Sequence, residues 1–149
     1  MLMERERALS YLPFPKEVVH DHYLAFRAAA DGALDFLAEP QMRYRIYGGN
    51  QTGVMTGVMT KADYRRRRID VFDARVRSFA KSVDIPELDR ALRWSQARID
   101  CFEHKKGGWK MLWKLRKTNT VTSLFELTVL RLPTPLFRLA IKLVQKGIL

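Results

Sequence analysis

Few residues of this 149-residue chain have the type and setting to do chemistry. His20, Asp21 and His22 stand together, and a carboxylate such as Asp21 can take a proton from an attacking hydroxyl. Taken alone, Asp21 reads as an ordinary first-turn acid favoured by the helix dipole. His20 and His22 point in different directions on a helix and have no evident third ligand, so they do not read as a metal site. Arg45 could hold phosphate oxygens through a bidentate guanidinium, or be a plain solvent-facing strand residue. Arg65, Arg66, Arg67 and Arg68 read as a solvated helix face, with nucleic-acid binding the sharper and lesser alternative. The single cysteine, Cys101, excludes an intrachain disulfide and a zinc site built mainly from thiolates; with no base beside it, it reads as an inert thiol. Ser95 and His104 offer no triad.

Elements must hold these residues. Pro13-Phe14-Pro15 predicts an extended entry, followed by a helix over roughly residues 17 to 31 that stops at Gly32. Leu34, Phe36 and Ala38 alternate with Asp35 and Leu37, and Met42, Tyr44 and Ile46 alternate with Arg43, Arg45 and Tyr47. Both stretches predict short strands. Gly48, Gly49, Gly53 and Gly57 predict a loop, and the near-duplicate that runs from Thr52 to Thr60 reads as a slipped repeat at its surface. Ile69, Phe72, Val76, Phe79 and Val83 then step by three and four, which places them on one face of a long helix begun by the arginine run. Asp84 lies three before Glu87 with Pro86 between them, so a capping box should open a second helix from about Ile85 to Glu103.

Four stretches recur together in a known family. Leu12-Pro13-Phe14-Pro15, His20-Asp21-His22-Tyr23-Leu24-Ala25, Phe36-Leu37-Ala38-Glu39-Pro40 and Tyr44-Arg45-Ile46-Tyr47-Gly48-Gly49-Asn50-Gln51-Thr52-Gly53 resemble, in order and spacing, the C-terminal part of family 2 glycosyltransferases with a GT-A fold. The likeness covers roughly residues 9 to 55. It implies that Asp21 is the general base of an inverting sugar transfer, that His20 lies on the acceptor side, and that Arg45, Tyr47 and Asn50 approach the donor diphosphate. Tyr47 departs from the pattern, which has histidine there, and a phenol is no neutral nitrogen ligand. The family also binds its nucleotide-sugar with an N-terminal strand-helix half carrying an Asp-x-Asp motif, and only Glu4 and Glu6 supply acids ahead of the matching segment. The resemblance therefore implies an acceptor-side segment, incomplete without a donor-binding half. A divalent metal, Mg or Mn, would serve the complete enzyme, with none bound by this chain alone.

Charge divides the chain. From Lys105 onward stand ten basic residues and one acid, Glu126, whereas the first 104 residues carry 17 basic and 15 acidic groups. Gly107 and Gly108 read as a flexible joint at that boundary. Beyond it, Trp109, Met111, Leu112, Trp113 and Leu115 interleave with Lys110, Lys114, Arg116 and Lys117, the composition of an interfacial helix on anionic lipid. The competing reading is that these residues pack back onto the domain. No window reaches the roughly 18 apolar residues of a spanning helix, and the charged N-terminus does not resemble a signal peptide. The expected location is cytoplasmic, with peripheral attachment at the inner face of the cell membrane.

The expected fold class is α+β: a remnant of a GT-A α/β domain, one helix and two short strands, followed by a mainly α-helical basic extension. Residues 1–60 form the acceptor-side segment, 61–104 a helical pair and 105–149 a basic amphipathic tail. The expected function is transfer of a sugar from a nucleotide-sugar donor to a glycan acceptor in cell-surface polysaccharide synthesis. The alternative is a non-catalytic basic adaptor that binds anionic membrane or nucleic acid.

Overall fold

A computed structural model describes residues 2–41, 43 and 55–145. It is 67% helical, and no strand occurs among the described residues. The helices are α1 (Arg5–Ser10), α2 (His20–Ala30), α3 (Lys61–Tyr64), α4 (Val71–Ala80), α5 (Pro86–Phe102), α6 (Gly108–Lys114), α7 (Thr120–Thr128) and α8 (Thr134–Gln145). The α+β expectation is corrected accordingly. Residues 34 to 38 take an irregular path with Leu34, Phe36 and Leu37 all exposed. Their alternation was incomplete, since Leu37 is apolar on the face meant for water, and a strand without a buried face or a described partner has little to hold it. The other expected strand, residues 42 to 47, falls outside the described residues apart from Arg43.

α2 ends as its composition demands. Gly32 adopts φ +66, and the Ala33 N–H bonds the Ala28 carbonyl at 2.8 Å, closing the last turn in a Schellman arrangement. Tyr23 and Ala28 face inward with Tyr11 and Val18, and Phe26 stacks on Phe79 with centroids 4.1 Å apart, which docks α2 on α4. α1 is tied to the far end of α2 by the Tyr11 hydroxyl, which donates to Asp31 Oδ2 at 2.5 Å.

α3 and α4 are one rod, interrupted by a π-helical segment at Arg65–Asp70. Thr60 and Asp63 cap its start reciprocally: the Thr60 hydroxyl oxygen accepts the Asp63 N–H, and Asp63 Oδ2 accepts the Thr60 N–H. That bonding holds the Asp63 carboxyl below its usual range, with the Thr60 side chain the largest cause. The expected apolar stripe is present as far as Phe79, with Ile69 and Val76 buried and Phe72 and Phe79 half-buried, but the helix stops at Ala80, before Val83. The capping box expected at Asp84 and Glu87 is absent: Ile85 is the N-cap, and Pro86 with the acids Glu87 and Asp89 marks the first turn of α5.

The basic segment packs inward. Leu130, Phe137 and Ile141 join Val58, Tyr64 and Ile69 in one buried cluster, and Leu112 and Leu127 join Trp94 and Ala97 in another. Val58 is fully buried, and Gln145 Nε2 donates to its carbonyl at 3.5 Å, so the second copy of the duplicated stretch places one residue in the core while Met59 stays exposed. The joint read at Gly107 and Gly108 is a close-packed turn. Gly107 has φ +86, and a Cβ on buried Gly108 would lie 2.6 Å from the Asp100 carbonyl carbon, which lets α6 lie directly on the α5 backbone.

Candidate functional site

Three places in the fold bring reactive or charged groups together. The first is the N-terminus of α2. Tyr23 is buried two positions after Asp21, about 200° further round the helix, so the Asp21 carboxylate is turned away from the core. It is exposed, as are His20 and His22. Asp21 Oδ1 accepts the His22 N–H at 2.7 Å, and Oδ2 has no hydrogen-bond partner among the described residues. Phe14 fixes the approach to this turn, 6.4 Å from the His20 ring and 6.1 Å edge-on to Tyr23. Arg45, Tyr47 and Asn50 lie outside the described residues. A cavity of about 650 Å³ lines the opposite end of α2, between Arg7, Ala28, Leu34 and Gln41. Ala28 is about 10 Å along the axis from Asp21, so that cavity is separate from the carboxylate.

The second place is internal. Arg98 and Glu126 are 2% and 1% exposed and pair through Nη2–Oε1 at 2.7 Å, with Nε donating to both carboxylate oxygens at 2.9 and 3.0 Å. The Tyr64 hydroxyl donates to Glu126 Oε1 at 2.8 Å, and Arg98 Nη2 donates to the Arg68 carbonyl at 3.3 Å within the π-helical segment. The guanidinium also lies 4.6 Å from the Trp94 ring and 5.3 Å from Phe72. Burial and the adjacent Glu126 carboxylate push the Tyr64 hydroxyl far above its ordinary value, so it stays protonated and donates to the carboxylate. Trp94 Nε1 in turn donates to Ser123 at 2.9 Å, and Ser123 to the Asn119 carbonyl at 2.7 Å. Every charge here is matched, which is the arrangement of a structural centre. A pocket of about 120 Å³ opens beside it, lined in part by Cys101, Glu126 and Arg131. Burial raises the Cys101 thiol above its ordinary value despite the opposing Arg131 charge, so the neutral, unreactive form is favoured.

The signal for Arg98 and Glu126 was present in the sequence. Arg98 follows Trp94 by four and Ala97 by one on the apolar face of α5, and Glu126 is a lone acid between Phe125 and Leu127. An unaccompanied charge of each sign in two apolar stripes points to a partnership.

The third place is the surface of α6. Trp109 and Trp113 are half-exposed, their rings 6.0 Å apart with planes at 5°, beside exposed Lys110 and Lys114. Two members of the arginine run, by contrast, are engaged with acids: Arg65 pairs with Asp70 and Glu103, and Arg66 with Asp63.

Among the described residues no group of three or more His, Cys, Asp or Glu is placed to hold a metal ion. Among the same residues no helix is long and apolar enough to cross a membrane. No family model, curated protein or solved structure matches the chain.

Proposed function

We propose that this chain is the acceptor-side segment of a family 2-like glycosyltransferase that transfers a sugar from a nucleotide-sugar to a glycan acceptor. The observation that carries the reading is the Asp21 carboxylate: it opens a helix, faces solvent, and keeps Oδ2 unengaged among the described residues. A base for an acceptor hydroxyl needs that accessibility and a fixed backbone behind it. Tyr23, Phe14 and Phe79 supply the fixed backbone. The ordered motifs from Leu12 to Gly53 support the same reading.

In this mechanism Asp21 takes the proton as the acceptor oxygen attacks the anomeric carbon. The bond from that carbon to the diphosphate oxygen breaks, and the nucleoside diphosphate leaves with the electron pair. By the resemblance, Arg45 would hold the diphosphate, Asn50 and Gly53 belong to the loop that closes over the donor, Tyr47 stands where the family has histidine, and His20 lies on the acceptor side. In a complete enzyme a Mg or Mn ion would neutralise charge on the departing diphosphate. The test is to tag the gene at its C-terminal end, recover the protein with whatever accompanies it, and supply a panel of nucleotide-sugars with the cell's own glycans. Transfer of one sugar with release of nucleoside diphosphate is the expected result; consumption of no donor would overturn the assignment.

A second reading, a non-catalytic basic adaptor, is favoured by one observation: the exposed indoles and lysines of α6.

A further inference from the structure

The α6 surface is apolar and cationic, and no described element covers it. Trp109 and Trp113 stand one turn apart and remain 40% and 43% exposed. The Arg131 guanidinium lies 5.6 Å from the Trp109 ring, and that of Arg116 4.4 Å from the Trp113 ring. We infer that this surface docks the protein on an anionic lipid bilayer, the indoles at the headgroup boundary and the cations on lipid phosphates. The inference is independent of the glycosyl-transfer reading.

Charge complementarity is the first argument. The basic segment holds one acid, Glu126, and that acid is buried against Arg98, so the face it presents outward carries no carboxylate of its own. Among the described cations of the segment, Lys105 alone has an acid partner, pairing with Asp100 and Glu103. Lys110 and Lys114 follow the two tryptophans by one residue each, which places positive charge along one flank of the apolar patch.

The second argument is the form of the patch. An indole has an apolar body and a polar N–H, and indoles bordered by long cationic side chains suit the boundary between hydrocarbon and headgroup. α8 repeats the pattern. Leu136 and Leu139, three apart and half-exposed, share a face set off from buried Phe137 and Ile141, and Arg138 and Lys142 flank it.

Nucleic acid fits this surface less well. Bases bind aromatic residues through open ring faces. Trp109 and Trp113 already stack on each other and on guanidinium groups, which leaves their edges for contact.

The test uses the whole protein with vesicles of phosphatidylglycerol and phosphatidylcholine in equal parts, against vesicles of phosphatidylcholine alone. Co-sedimentation with the anionic vesicles only, weakening as salt rises, is expected. Tryptophan emission should shift to the blue and be quenched by bromine-labelled acyl chains. Trp109→Ala with Trp113→Ala should weaken binding about tenfold or more, and so should Lys110→Glu with Lys114→Glu, which leaves the packing of the indoles in place. Helical circular dichroism confirms that each variant is folded. Absence of vesicle binding would overturn the proposal, as would binding undiminished in the lysine variant, or capture of a duplex oligonucleotide by a protein that ignores the vesicles.

Discussion

Glu126 is closed off by Arg98 on one side and the Tyr64 hydroxyl on the other, in a setting where each charge is tolerable only because its partner is there. Arg98→Met leaves the carboxylate buried and unpaired, and should cost about 3–5 kcal/mol in urea unfolding. Adding Glu126→Leu and Tyr64→Phe removes the stranded charge and the orphaned hydroxyl, and should recover most of that loss. A triple variant no more stable than the single one would show that the pair is net stabilising. At this scale the sequence was partly legible. The sequence reading missed the pair: a lone acid in an apolar run and an arginine on an apolar face were there to be seen, but their meeting spans 28 residues of chain and depends on how α5 and α7 pack. Asp21 was legible as a first-turn acid. Its accessibility depends on Tyr23 turning inward, which the structure supplies.

The helices were the most readable elements, because their evidence is local. The stop at Gly32 follows from a left-handed position that glycine occupies without strain, and the step of three and four from Ile69 to Phe79 follows from one buried face. The π-helical turn at Arg65–Asp70 was hidden, since four arginines carry no periodic signal; in the structure Arg65 reaches both Asp70 and Glu103 across it. The strand expected at residues 34 to 38 failed for the opposite reason, a local pattern with no tertiary surface to bury it. Gly108 shows how a local signal can mislead. Read as flexible, it is the point where α6 touches the α5 backbone, and a Cβ there would meet the Cys101 nitrogen at 2.7 Å. Gly108→Ala should force the helices apart and destabilise by about 1–3 kcal/mol, seen as a lowered thermal midpoint. An unchanged midpoint would contradict the contact.

At the scale of the molecule, the charge step at Lys105 coincides with no break in packing: Leu112, Leu127, Leu130, Phe137 and Ile141 share buried clusters with residues from the preceding helices. The reading in which the basic segment packs back onto the domain is seen in these clusters. One side of it packs back onto the core, and the other keeps its indoles, leucines and cations outward. The resulting molecule has a solvent-facing carboxylate on one helix and an apolar basic surface on another, joined through the α4–α5 scaffold. A transferase acting on a membrane-held glycan acceptor has use for both. The measurement that tests the account most directly is Asp21→Asn in the tagged protein, with donor binding and sugar transfer followed separately. Turnover lower by about 10²–10⁴-fold, with donor affinity unchanged, is the predicted result. Near-normal turnover would contradict the role of Asp21 and, with it, the assignment of this segment to the acceptor side.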